Sequence, residues 1–138
     1  MSEPGPTNDT NYEAQPERYP LDMDDEQALQ AAPYAARILP YWRYGSTAEA
    51  ASSAAQLYEL YTRYKERGDF VGMDVVRRFL RMGLKRARLL NPIPTPTPGA
   101  PLQPPPAAIF SKTFRMVDND PDFAAMSQAH AERYSPHG

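Results

Sequence analysis

The chain has 138 residues, with no Cys, 16 Pro, 41% hydrophobic and 23% charged residues, and a net charge of −2. Without Cys there is neither a disulfide framework nor a thiolate metal site. No apolar run approaches the roughly 18 to 20 residues of a membrane span, and the first twenty residues lack the basic patch and apolar stretch of an export signal. The expectation is a non-membrane protein of the cytoplasm, one small domain with much linker or unfolded length.

The small net charge conceals an asymmetry. Residues 1–32 carry one Arg against eight Asp or Glu, net −7; residues 34–91 carry eleven Arg or Lys against five acids, net +6; residues 92–138 carry three against four, net −1. A basic module therefore lies between an acidic and a nearly neutral segment.

Met1 to Pro20 is rich in Pro, Gly, Asn, Thr, Asp and Glu and offers little apolar surface to offset the entropy of ordering a backbone. Asp24, Asp25 and Glu26, ahead of Ala28, Leu29 and Ala31, suit the first turn of a short helix within Leu21 to Ala32. Residues 1–32 as a whole read as an acidic, largely disordered arm. Residues 33–91 read as a helical hairpin core. In it, Ala36 to Tyr44 sets Ile38, Leu39, Tyr41, Trp42 and Tyr44 around Pro40, a segment too apolar to stay in water, which predicts an aromatic anchor across the following helices. Ser46 and Glu49 form an S-x-x-E capping box for a helix over Thr47 to Glu66, with Ala50, Ala54, Leu57, Leu60, Tyr61 and Tyr64 on one face. Gly68 suits a left-handed helix end and Asp69 the N-cap of a second helix over about Phe70 to Leu90, which Asn91 and Pro92 stop.

Residues 92–106 hold eight prolines in fifteen positions and predict an extended polyproline linker. Beyond it, residues 107–134 predict two C-terminal helices packing on the core: Ile109, Phe110, Phe114 and Val117 have helical spacing, and Asp120 with Pro121 supplies a cap and a first-turn proline. The fold class expected is all-α.

Projected at about 100° per residue, the second core helix places Val75, Val76, Phe79, Leu80, Met82, Ala87 and Leu90 on an apolar arc, and Arg77, Arg78, Arg81, Lys85 and Arg88 on the complementary side. That basic side fits a solvated face with partial pairing, such as Asp74 to Arg78 at i,i+4. It also fits a polyanion-binding face, or a docking surface for an acidic partner, this chain's own N-terminal arm included. Arg86 falls within the apolar arc, where it must snorkel or pair, with Asp69 and Glu59 as candidate partners. Tyr41, Trp42 and Tyr44 around Arg43 fit a base-stacking platform or the core; a module so short of apolar residues needs them for the core, and Trp42 is the residue most expected to be buried. The expected structural anchors are Tyr41, Trp42, Asp69, Phe70, Phe79 and Arg86.

No catalytic, cofactor or metal residue is predicted. Asp118, Asp120 and Asp122 imitate the opening of a calcium loop, but Phe123 replaces its Gly and Ala129 its closing Glu. His130 and His137 are the only histidines and lack the spacing of a zinc site. No Gly-rich phosphate loop and no G-x-S-x-G elbow occurs.

Ile38 to Arg43 (ILPYWR), Gly68 to Asp74 (GDFVGMD), Arg78 to Gly83 (RFLRMG) with Arg86 to Arg88, and Ala108 to Phe110 through Asp120, Phe123 and His130 resemble an uncharacterised family of short bacterial, archaeal and phage proteins, over about Tyr34 to Tyr134 without the proline stretch. The resemblance implies the helical reading and its boundaries and assigns no site. In that family, basic and glycine-rich residues follow the second helix where this chain has its prolines. The function expected is a small non-catalytic module, monomeric or a small oligomer, that docks on another protein. The competing reading is nucleic-acid binding through Arg77, Arg81, Lys85 and Arg88, masked by the acidic arm.

Overall fold

The computed structural model describes residues 10–90, 99 and 104–134. They form five α-helices, α1 (Tyr34–Ile38), α2 (Thr47–Glu66), α3 (Phe70–Leu90), α4 (Pro106–Asp118) and α5 (Pro121–Arg133), with 3-10 turns at Pro16–Arg18, Asp25–Gln30 and Leu39–Tyr41. No strand occurs among the described residues, as an all-α reading requires. Most of the proline-rich linker, residues 92–98 and 100–103, lies outside the described residues, as do residues 1–9, 91 and 135–138.

Local chemistry sets the ends of the hairpin. Ser46 Oγ accepts from Glu49 N at 3.1 Å, while the Glu49 carboxylate reaches back to Gly45 N at 3.2 Å, one residue earlier than a standard capping box. α2 ends at Gly68, whose φ of +69° is costly for any residue with a Cβ. Asp69 Oδ1 then accepts from Gly72 N at 3.1 Å and caps α3.

α4 completes a three-helix core. Arg77 pairs with Asp118, and the Gly83 backbone meets the Phe110 ring, so α4 runs antiparallel to α3. Thr47 bonds Pro104 O and Tyr61 bonds Asp120, so α4 runs parallel to α2. Leu57, Tyr61, Val75, Val76, Phe79, Leu80, Met82, Phe110 and Val117 fill the centre. A Cβ on Gly83 would stand 2.9 Å from the Phe110 ring, and one on Gly72 2.6 Å from the Tyr64 ring. The glycines of GDFVGMD and RFLRMG thus let two aromatic rings lie directly on the α3 backbone. Leu90, expected on the buried arc, is 64% exposed because it lies at the last residue of α3, beyond the end of the packed face.

The N-terminal segment departs most from expectation. Residues 10–32, expected within a disordered arm, fold against α3, and Tyr12, Tyr19, Ala28 and Ala31 are buried in the common core. Tyr12 N bonds Ala32 O at 2.9 Å, so the segment closes on itself, and Glu13 pairs with Arg37 and Arg67. Two buried tyrosines and two buried alanines, together with neutralisation of its acids, supply the stabilisation that composition alone conceals. The short helix expected within Leu21 to Ala32 is a 3-10 turn over Asp25–Gln30, with Asp24 N donating to Gln27 Oε1.

Candidate functional site

The basic side of α3 is occupied by the chain's own acids. Asp74, 2% exposed, accepts Tyr19 Oη at 2.6 Å and Arg78 Nε at 2.8 Å on one oxygen, and Arg77 Nε at 3.0 Å on the other. Arg78 was expected on the solvated side and is instead 4% exposed, because the N-terminal segment closes over it. Its guanidinium also donates to the main-chain oxygens of Leu21 at 2.7 Å and Met23 at 2.6 Å and to Asp25 Oδ1 at 3.2 Å. Arg81 grips Asp25 with two bonds, 2.6 and 2.7 Å, the fork geometry that suits guanidinium to carboxylate. Arg77 reaches on to Asp118 of α4 at 3.1 Å. Lys85, 65% exposed, approaches Asp25 only to 4.0 Å, and Arg88 is exposed. Of the five cations read as one face, three are bound into the fold and two remain at its solvent end.

These contacts fix the charge states. Burial would raise the Asp25 carboxyl, but the Arg81 bond, with Arg78 and Lys85 nearby, holds it below the ordinary carboxylate value. Burial would lower the Arg78 guanidinium, and the Asp74 carboxylate overrides this and raises it. Burial first, and then the Asp74 charge, push the Tyr19 hydroxyl well above its usual range.

The anchors are only partly as expected. Trp42 is half-buried: Nε1 donates to Phe79 O at 3.0 Å, and the ring stands edge-on to Phe79 at 5.0 Å. Arg86 lies over the same ring, 5.0 Å from its centroid. Tyr41 is no core anchor, since the 3-10 turn at Leu39–Tyr41 lifts it to 43% exposure. Arg86 pairs not with Asp69 or Glu59 but with Glu26 at 2.6 Å and, more weakly, Tyr44 Oη at 3.5 Å. Asp69 instead receives the Tyr34 hydroxyl at 2.6 Å. Glu26 lies on the acidic segment, which a disordered arm would not bring to α3.

A family model described as Domain of unknown function (DUF4385) matches residues 3–92. The chain belongs to that family. The match to DUF4385 takes in the N-terminal segment, ahead of Tyr34, and ends before α4, so the stretch from Ala108 to His130 lies outside it. The DUF4385 region therefore contains both halves of the ion-pair system, Asp25 and Glu26 on one side and Arg78, Arg81 and Arg86 on the other. No curated protein and no solved structure matches the chain.

What the sequence concealed here is the acceptor role of Leu21 and Met23, which is a property of main-chain oxygens. The net charges of −7 and +6 on consecutive segments were the available signal that they close on each other. Among the described residues no group of three His, Cys, Asp or Glu could hold a metal ion. No described helix is long and apolar enough to cross a membrane.

Proposed function

We propose that this DUF4385 protein is a non-catalytic helical module of the cytoplasm that docks on another protein. The observation that carries the reading is the corner at the end of α1. There Leu39, 43% exposed, lines a shallow, mostly apolar groove of about 290 Å³ together with Leu29, Gln30, Ala32, Ala35 and Ala36, and Tyr41, two residues further on, is equally exposed. Large apolar side chains held in water next to small ones leave room for an aromatic or branched side chain of a partner.

The polyanion reading loses support from the same structure. Arg77, Arg78 and Arg81 are already bound to carboxylates, and a phosphate would have to displace bonds of 2.6 to 3.0 Å. Deleting residues 1–32 would not unmask a ready face, because it would also take Tyr12, Tyr19, Ala28 and Ala31 out of the core.

The test compares the wild-type chain with Leu39→Glu and Tyr41→Glu variants in crosslinked partner recovery from cells, with far-UV circular dichroism as the check on folding. Folded variants that lose a partner held by the wild type support the reading. A partner set unchanged by both substitutions overturns it.

A further inference from the structure

α5 is attached differently from the other helices. Of its thirteen residues only Phe123 and His130 are buried. Its start is pinned: Asp120 accepts Tyr61 Oη at 2.8 Å, Lys65 Nζ at 2.9 Å and Asp122 N at 2.9 Å, and the Phe123 ring packs on Phe70 at 5.4 Å. Its last two turns hold one buried side chain, the His130 ring, which is 8% exposed, and one partly buried against the core, Met126. That ring lies 5.1 Å from Phe70, 6.3 Å from Tyr19 and 4.8 Å from Tyr134, and it borders an open cleft of about 390 Å³ between α5, the N-terminal segment and the start of α3.

We propose that α5 is an acid-released latch: protonation of His130 frees the last two turns of the helix, from Met126 to Arg133, and bares Tyr19 and Phe70. The geometry gives three reasons. The ring is enclosed by aromatic side chains and has little water to solvate a charge. Phe70 is the first residue of a 21-residue helix, so a cation beside it meets the positive end of the α3 dipole. The adjoining cleft gives a charged ring somewhere wet to go while α2, α3 and α4 stay packed.

The charged neighbours do not reverse this. On α3, Asp74 attracts the ring but already neutralises Arg77 and Arg78, and Asp69 is taken by Tyr34 and Gly72 N. On the N-terminal segment, Glu13 is shared by Arg37 and Arg67. On α5 itself, Arg133 lines the same cleft and adds a like charge. Burial accordingly pushes the imidazole below its ordinary value, against smaller opposite effects from the Tyr19 main chain and Asp74. The sign follows: docking is complete above the free-imidazole value near 6.5 and weakens as pH falls below it. Each unit by which His130 is lowered makes undocking tenfold easier once the ring is charged.

The test is amide exchange by NMR on the full chain between pH 7.5 and 5, corrected for intrinsic rates, with the His130 ring titrated in the same samples. The expected result is a loss of protection over Met126 to Arg133 that follows the His130 titration, with α2 and α3 unchanged, and its absence in His130→Phe, which keeps the plug but cannot charge. Protection in the wild type that stays flat while His130 titrates overturns the proposal. So does an equal loss in a folded His130→Phe variant, which would place the trigger on a carboxylate.

Discussion

Replacing Arg78 by Met keeps most of the side-chain length and removes the guanidinium. Four bonds go with it, to Asp74 Oδ2 at 2.8 Å, Met23 O at 2.6 Å, Asp25 Oδ1 at 3.2 Å and Leu21 O at 2.7 Å. Hydrogen bonds to charged groups contribute about 1.5 to 3 kcal/mol each. Their total is a ceiling here, because Met regains apolar burial and Asp74 keeps Tyr19 and Arg77. Asp25 likewise keeps Arg81. Removing one member of a buried pair costs about 3 to 5 kcal/mol, and that loss is expected for Arg78→Met. Urea unfolding followed by Trp42 fluorescence measures it at a single site, since Trp42 is the only Trp. Arg78→Lys is expected to fall between the two, because an ammonium cannot reproduce the forked donor set. A loss under about 1 kcal/mol for Arg78→Met would refute the view that this side chain holds residues 21–25 against α3.

Gly83→Ala should lose about 1 to 3 kcal/mol in the same unfolding assay, since its methyl would stand 2.9 Å from Phe110 and 3.1 Å from Trp42 Nε1. The stability difference between wild type and Asp25→Asn should be full above the ordinary carboxylate value of about 3.9 and vanish as pH falls through the lower folded-state value, because the Arg81 bond depresses Asp25; unfolding midpoints from pH 6 to pH 3 check this. Trp42→Phe should cost about 1 kcal/mol or somewhat more, from the lost bond to Phe79 O and the contact with Arg86, read by thermal unfolding in circular dichroism. Asp120→Ala should cost about 1 to 2 kcal/mol as the α5 cap and the Lys65 and Tyr61 contacts go, with amide exchange faster in α5 than in α2.

Helix boundaries were legible because each is written in local chemistry. Ser46, Gly68, Asp69 and Asp120 act within a few residues of themselves, and the structure uses all four at the helix ends where the spacing placed them. The apolar arc of α3 was legible for the same reason, and it failed only at Leu90, where the helix runs out of neighbours. The N-terminal segment was legible only in part: its charge fits docking on the basic side of α3, as the Asp25 pairs with Arg78 and Arg81 show, but not the ordering of residues 10–32 around buried Tyr12 and Tyr19. Its stabilisation comes from contacts more than fifty residues away, such as Tyr19 with Asp74 and Asp25 with Arg81, and no local pattern encodes a partner at that distance. By composition the segment is too polar to order, whereas its acids are held because they face cations. The partner of Arg86, Glu26, is equally remote in the chain and hidden for this one reason.

Three tyrosines share one arrangement: Tyr19 with Asp74, Tyr34 with Asp69 and Tyr61 with Asp120, each hydroxyl 2.6 to 2.8 Å from a carboxylate. A phenol in that position cannot surrender its proton without setting two negative charges side by side, so burial and the neighbouring carboxylate hold all three far above the usual range. Each Asp also orders another part of the chain, through Arg77 and Arg78, through the first turn of α3, and through Lys65. Alkali is therefore this fold's weak side. An unfolded tyrosine ionises near pH 10, whereas these must open first, so strong base withdraws stabilisation from the N-terminal segment, the hairpin corner and the α5 hinge together.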